Sequence, residues 1–332
     1  MPLDTYFPTD IEIEPEVRIT RGYNSQCRRW GIILAGGEGK RLLPVTRAIA
    51  NDDRPKQFCP LGGNETLLDQ TRRRVATMIE PQSTLVVLTE THEPFYSNQI
   101  KAIPRECLAV QPYGRGTAPA ILYSLMRVSK LDPKGIVTIF PSDHRIENNE
   151  ALASSIEKGI ASARSRPVLL GVVPETPEVE YGWIEPDLRA SRRNGFVFRV
   201  SRFWEKPSPS LALALMKRGC LWNSFIMLGR VEGFLNLFRR ALPNLTQTFD
   251  SIKPALCTGM ERTALADLYA NIPPSDFSRE VLCTRPNDLD VLLAKDLGWQ
   301  DLGQPDRVLS MIERKAPEVE VPATLTARAA FG

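Results

Sequence analysis

The chain has 332 residues, 42% of them hydrophobic and 24% charged, with a net charge of +3. That is enough length and apolar content for one large α/β domain or two smaller ones. The charge is too mild to argue for a nucleic-acid partner, and no apolar stretch approaches the ~18 residues of a membrane span, so neither nucleic acid nor membrane is expected.

Residues 1–29 read as an extension before the first core strand. Their opening, "MPLDTYFPTDIEIEPEVRIT", is acidic and lacks the apolar core of a secretory signal. The six cysteines (Cys27, Cys59, Cys107, Cys220, Cys257 and Cys283) are scattered without CxxC spacing. They read as reduced thiols of a cytoplasmic protein rather than a disulfide frame or zinc site. With only His92 and His144, a His-rich metal centre is excluded.

Ile32, Ile33 and Leu34 form a short continuous apolar run, as a strand buried on both faces of a parallel sheet requires. The run stops on "AGGEGKR" (Ala35–Arg41). Gly36, Gly37 and Gly39 carry no Cβ, so backbone N–H groups there can lie against an anion. Arg41 adds a forked, permanently charged donor. A tight turn with a solvated basic pair explains the same residues without a ligand. The stretch is not a P-loop, because Lys40 arrives too early and has no Ser or Thr beside it. It is not a dinucleotide fingerprint either, because Leu42 stands where a third glycine is needed.

The pattern then alternates. Helical spacing covers Thr66–Ile79, a buried strand Thr84–Thr89, and a second helix Thr117–Lys130 with Ile121, Leu125 and Val128 on one side. A strand at Gly135–Phe140, a helix at Ala151–Ser165 and a strand at Pro167–Val173 follow. Such alternation predicts a parallel sheet covered on both faces, with ligands beyond the carboxyl ends of its strands. The glycine loop, "PSDH" (Pro141–His144) and "WNS" (Trp222–Ser224) each read as following a strand, so they are expected in one cleft. Gly195–Pro207 alternates as an antiparallel or mixed segment. Two or three helical stretches are expected, roughly over Val231–Leu242 and Gln247–Tyr269, within a helical sub-region of about 230–285, and a last strand at Leu289–Ala294. The Ala/Pro/Glu-rich tail, 315–332, reads as flexible. There is no internal repeat, and without tandem hexapeptides no C-terminal β-helix is expected.

Asp143 follows a buried strand through Pro141 and Ser142. A carboxylate there suits Mg²⁺, which takes hard oxygen ligands and shares them with substrate phosphates. Asp301 in "GWQDLG" is a second candidate for the same ion. Each also reads as an ordinary turn Asp.

Taken together, the motifs resemble one family. "LAGGEGKRLLPVTR" followed by "RPKQF" (Arg54–Phe58) is similar to the loop of sugar-1-phosphate nucleotidylyltransferases. The Lys-Gln-Phe ending and "GRGTAPAI" (Gly114–Ile121) resemble mannose-1-phosphate guanylyltransferases, also called GDP-mannose pyrophosphorylases. "PSDH", "YGWIE" (Tyr181–Glu185), "FWEKP" (Phe203–Pro207) and "WNS" follow in that family's order, spanning about Gly31 to Gly303. The resemblance implies a nucleotide-diphospho-sugar transferase fold over 30–314: a Rossmann-like, mostly parallel mixed α/β sheet flanked by helices. It implies GMP transfer from GTP to mannose 1-phosphate with release of pyrophosphate, assisted by Mg²⁺ or another divalent cation. A homodimer is left open.

The resemblance also implies residue roles. Leu34, Ala35, Gly36, Gly37, Glu38, Gly39, Lys40 and Arg41 would hold the triphosphate. Lys56 would neutralise charge near the α-phosphate, and Asp143 and Asp301 would hold the metal. Gln111, Gly116, Thr117 and Ala118 would lie near the guanine. Tyr181, Gly182, Glu205 and Asn223 would hold the sugar hydroxyls, and Lys206 its phosphate. There are departures. Lys40 stands where the family usually has Thr, Gly116 where it has Asn, Leu43 where it has Trp, and Phe225 where a Gly is usual. Bifunctional relatives carry an isomerase domain for which the tail leaves no room, so only the transferase is expected. Another sugar or base, or a non-catalytic nucleotide-sugar-binding regulator, are the competing readings. Retention of Arg41, Lys56, Asp143, Lys206 and Asp301 argues against the regulator.

Overall fold

The computed structural model describes residues 28–61, 63–163, 165–190 and 196–314. The expected N-terminal extension, as far as residue 27, and the expected tail at 315–332 lie outside these described residues.

Four strands build the first half of the sheet: β1 (Arg29–Leu34), β2 (Thr84–Thr89), β3 (Leu108–Gln111) and β4 (Ile136–Pro141). All of their mutual pairings are parallel, β3 with β2, β2 with β1, and β1 with β4. Every residue of β2 is buried, which is why its sequence, TLVVLT, shows no alternation. Next come the short β5 (His144–Arg145), then β6 (Val168–Val172), β7 (Gly182–Asp187), β8 (Val197–Glu205), β9 (Leu221–Arg230), β10 (Asp290–Ala294) and the short β11 (Gln300–Asp301). Among the described residues the main sheet runs β3-β2-β1-β4-β9-β6-β10-β8-β7. Beyond β4 the pairing is mixed: β9 runs antiparallel to β4 and β6, and β10 parallel to β6. No β-helix occurs among the described residues.

Helices cover both faces. Thr117–Leu131, Val231–Ala241 and Glu261–Asn271 bury Ile121, Leu125, Phe234, Phe238 and Tyr269 on one side. Leu67–Ala76, Asn149–Ser162 and Pro209–Lys217 bury Leu68, Val75, Ile156 and Leu215 on the other. Local sequence fixes where several begin. The side chains of Thr66 and Asn148 accept from the backbone N–H groups of Asp69 (3.1 Å) and Ala151 (3.0 Å), satisfying donors that a helix start leaves open. A third, smaller cluster joins Leu42, Val45 and Cys59 to Leu302 and Val308, so the segment after the glycine loop is braced by the helix Pro305–Arg314.

The two or three helical stretches expected from Val231 to Tyr269 are three: after Val231–Ala241, Pro243–Asp250 and Glu261–Asn271 are separated by turns. Pro254 and Gly259 lie in the interruption, one lacking an N–H and the other costly in a helix. "WNS" does not follow a strand but lies inside β9. It still reaches the expected cleft, because β9 is antiparallel to β4 and its N-terminal end lies near β4's carboxyl end. Opposite it the β6–β9 register slips between Leu169 and Gly171.

Candidate active site

The carboxyl ends of β1 and β4 and the start of β9 open into a cavity of about 570 Å³. It is lined by Gly37, Gly39 and Arg41, by Lys56, Asp143 and Asp301, and by Tyr181, Glu205, Lys206 and Asn223. A second cavity of about 360 Å³ shares Leu34, Gly37, Glu38 and Thr117 with the first and is lined further by Gly36, Gln111 and Gly116. Segments from distant parts of the chain therefore bring the sequence-predicted residues into adjoining spaces. Of those residues, Ala35 and Ala118 line neither cavity: both are buried, and their N–H groups are spent on Val87 O and Ser275 O.

The glycine loop is held from behind. Gln57 is buried, and its Nε2 donates to Ala35 O at 3.0 Å and to Gly37 O at 2.7 Å. Ser142 Oγ donates to Leu34 O, and Thr89 Oγ1 to Gly36 O. Carbonyls are thus tied inward, so the loop is anchored from the protein side. At Gly39 the backbone is left-handed (φ 62°) and a Cβ would meet Lys56 N at 3.2 Å, so glycine is required where the chain turns into Lys40–Leu42. The two basic residues after it diverge. Lys40 Nζ lies 2.5 Å from Glu38 Oε2 at the exposed rim, whereas Arg41 Nη1 reaches across to Glu180 Oε2 at 2.8 Å.

Lys56 is the centre of the charge cluster. It is 8% exposed, and its Nζ lies 2.9 Å from Asp143 Oδ2 and 3.8 Å from Asp301 Oδ1. Burial works against the ammonium, but the two carboxylates outweigh it and hold Lys56 protonated above the usual lysine range. Burial likewise opposes charge on Asp143, and Lys56 and His144 reverse this, leaving its carboxyl below the ordinary value. The pair of carboxylates is assembled by the small β5–β11 ladder, in which Asp301 lies opposite His144. Trp299 Nε1 donates to His144 Nδ1 (3.2 Å), and Ser224 O lies at the same distance from that nitrogen. The other ring nitrogen, Nε2, lies 3.8 Å from Asp143 and 3.9 Å from Asp301. Among the described residues no group of three or more His, Cys, Asp or Glu side chains could hold a metal. The donor set is two carboxylates, which fits a hard cation that completes its shell with water and phosphate oxygens.

At the far end, β7 and β8 pair Gly182 with Glu205. Burial first, then the charge of Asp276, pushes Glu205 up to about 7, against the opposing pull of Lys206 and Arg279. Tyr181 is clamped among Trp222, Trp299 and Arg307, whose guanidinium carbon stands 4.4 Å from its ring centroid. Two residues here have left-handed backbones that side-chain-bearing residues rarely adopt: Lys206 (φ 50°) and Phe225 (φ 60°). The value at Phe225 accounts for the usual glycine at that position. Here the ring lines the cavity, Asn223 Oδ1 accepts from Phe225 N at 3.1 Å, and Phe277 packs against it.

The second cavity ends on Gly116. Ser275 N donates to Arg115 O (2.9 Å), Ala118 N to Ser275 O (3.1 Å), and Phe277 N to Thr117 Oγ1 (2.8 Å). The backbone at Gly116 is left-handed (φ 90°), and a Cβ there would fall 2.2 Å from Ser275 O. The helical sub-region therefore occupies the room that an Asn side chain would need. Gln111 is buried, with Tyr269 OH donating to its Oε1 at 2.9 Å, and its Nε2 lies against Gly36.

A family model described as nucleotidyl transferase matches residues 30–316. The chain belongs to the nucleotidyl transferase family. Among curated relatives, this nucleotidyl transferase is 32% identical over 279 residues to the alginate biosynthesis protein AlgA of Pseudomonas syringae pv. tomato, a match covering 82% of this chain and 56% of that protein. It is 27% identical to the mannose-1-phosphate guanylyltransferase of Escherichia coli K12, over 84% of this chain and 59% of that one. The chain thus spans less than three fifths of the length of these relatives. A crystal structure named mannose-1-phosphate geranyltransferase, from Thermus thermophilus, matches with a TM-score of 0.72 at 29% identity, covering 85% of this chain and 79% of that one.

The motifs name most of the residues that line the two cavities, but four more that line or brace the larger one have no role in them. Glu180 immediately precedes "YGWIE", Gln57 sits inside "RPKQF", and Trp299 is two residues before Asp301. Each carried a positional signal. Asp276, inside the helical sub-region, carried none.

Proposed function

We propose that this nucleotidyl transferase joins GTP to mannose 1-phosphate, giving GDP-mannose and pyrophosphate. The observation that carries the reading is the buried Lys56, held between Asp143 and Asp301 and packed beside Gly39 in the cavity that the glycine loop also lines. The names of the curated relatives support the substrate pair.

A phosphate oxygen of the sugar 1-phosphate attacks the α-phosphorus of the triphosphate. The new P–O bond forms as the bond to the β-phosphate bridge breaks, and pyrophosphate leaves with the electron pair. Little covalent chemistry falls to the protein, so its work is positioning and charge stabilisation. Free N–H groups of Gly37–Lys40 and the fork of Arg41 hold the triphosphate. Lys56 faces the α-phosphate, where negative charge grows. Lys206 takes the sugar phosphate, and Tyr181, Gly182, Glu205 and Asn223 take the sugar. Gln111, beside Gly116 and Thr117, reads the base. Asp143 and Asp301 would hold Mg²⁺, which when bound neutralises phosphate charge. The free thiols of Cys59, Cys107, Cys220, Cys257 and Cys283 fit a reducing, cytoplasmic setting. Among the described residues no helix is long and apolar enough to cross a membrane.

A second reading, the same chemistry on a different sugar or base, is favoured by Gly116, which supplies no amide to the base, and by Phe225, which narrows the sugar end. A pyrophosphate-release assay across GTP, ATP, UTP and dTTP and a panel of sugar 1-phosphates separates them. GTP with mannose 1-phosphate is expected to be fastest. Equal rates with UTP or dTTP favour the second reading, and no release with any pair removes the transferase reading.

A further inference from the structure

Arg41, just after the glycine loop, and Lys206, just after β8, both line the cavity and end on the same atom. Glu180 Oε2 accepts from Arg41 Nη1 at 2.8 Å and from Lys206 Nζ at 3.2 Å. Among the described residues neither cation makes any other ion pair. One oxygen shared by two cations is the arrangement that a phosphate oxygen would create between the same groups.

The loop that carries Glu180, between β6 and β7, holds a second acid for contrast. Glu178 is tied down on every side. Its Oε2 lies 2.7 Å from Arg307 Nη2, and its Oε1 accepts from the N–H groups of Val179 and Glu180. Glu180 has no such structural anchor for its side chain, which is 34% exposed and held by Arg41 and Lys206. Those two cations also hold its carboxyl below the ordinary value, Lys206 contributing most.

We propose that Glu180 is an internal stand-in for substrate phosphate, which holds Arg41 and Lys206 in place in the empty site and releases them when phosphate enters. This rests on the reading that the two cations bind the substrates' phosphates. A phosphate group brings more charge than a carboxylate and accepts the Arg fork with two oxygens at once, so it wins the exchange. Once it has arrived, Glu180 is a like charge beside it and turns outward into solvent. The exchange subtracts the same amount from the binding of substrates, transition state and products. It therefore sets affinity without changing the barrier between bound states. A site built from Arg41, Lys40, Lys56 and Lys206 without it would hold pyrophosphate and nucleotide sugar more tightly and release them more slowly.

The test compares wild type with Glu180→Gln and Glu180→Ala, titrating GTP, mannose 1-phosphate and inorganic pyrophosphate separately by calorimetry, then measuring steady-state kinetics. Each ligand releases at least one half-exposed ion pair, so both variants are expected to bind all three ligands about two- to five-fold more tightly. KM falls by a similar factor, while kcat stays within about two-fold, or rises if product release limits it. Wild-type protein that binds none of the three ligands overturns the functional reading and this inference with it. Wild type that binds them, with variants that bind equally or more weakly, overturns the inference alone. So does a large fall in kcat at unchanged KM, which would make Glu180 a group acting on the transition state.

Discussion

Gly116→Ala isolates the junction between the base-side cavity and the helical sub-region. The backbone at this position has φ 90° and ψ −179°, a region open essentially to glycine alone. Forcing a side chain into it costs about 1–3 kcal/mol. The added Cβ would stand 2.2 Å from Ser275 O and 3.0 Å from the carbonyl carbon, both backbone atoms that cannot rotate away. Restoring ordinary contact requires the segments to part by roughly 1 Å. That movement strains Ala118 N to Ser275 O and Ser275 N to Arg115 O, bonds of 3.1 and 2.9 Å, each worth about 1 kcal/mol net. The sum is about 3–5 kcal/mol, a large part of a typical domain's stability. Thermal unfolding is expected about 6–15 °C lower, and the urea midpoint lower with an unchanged slope. Gly37→Ala is the control, since a Cβ there meets nothing within 4 Å and stability should hold within about 0.5 kcal/mol. If Gly116→Ala loses less than about 1 kcal/mol, the contact with Ser275 is not the constraint described.

Lys56→Met removes the cation between Asp143 and Asp301, and turnover is expected to fall at least about 100-fold in the pyrophosphate-release assay; a variant within a few-fold of wild type would detach Lys56 from the α-phosphate. Chelation should abolish turnover and added Mg²⁺ restore it, with Asp143→Ala losing activity while its circular dichroism stays native and Asp301→Asn needing more metal. Retained activity in Asp143→Ala would refute the metal assignment. Glu205 sits at about 7 in the fold, above the about 4.3 of a free glutamate, so the folded protein keeps that proton across the interval. Its contribution to stability is present below the lower value and is lost as pH rises through the upper one. Ionised, it is the stronger acceptor for a sugar hydroxyl, so kcat/KM for the sugar phosphate should rise through about pH 7, a limb that Glu205→Gln flattens while any limb from substrate phosphate remains.

The sheet's parallel half is legible in the sequence because buried strands leave a continuous apolar signature, as in TLVVLT. Strand β9 is harder to place. Its WNS segment reads as a loop after a strand, because polar Asn223 and Ser224 interrupt the apolar run; both turn their polar groups to backbone partners, Ser224 Oγ to Leu170 O and Asn223 Oδ1 to Phe225 N. The site residues that sit in motifs are placed near one another by order and spacing. Glu180 is not, because in "PETPEVEYG" it is one acid among several, and only the closure of the β6–β7 loop over Arg41 and Lys206 distinguishes it from Glu178. The significance of Gly116 is visible as a departure, whereas its cause, a backbone carbonyl supplied by Ser275, is a long-range contact that no local pattern encodes.

The two-residue ladder between β5 and β11 has a consequence for how the protein comes into being. Asp143 is in hand once the parallel half has formed, but its companion Asp301 emerges only after β10, at the far end of the described chain. A ribosome-bound chain that stops at Ala294 already contains all nine strands of the main sheet and the whole glycine loop. It nonetheless presents Lys56 with half of its counter-charge, and the segment after that loop lacks the Leu302 and Val308 brace. Asp301, Leu302 and Val308 all lie after the last strand of the main sheet, so the charge cluster around Lys56 is completed only by sequence beyond that sheet.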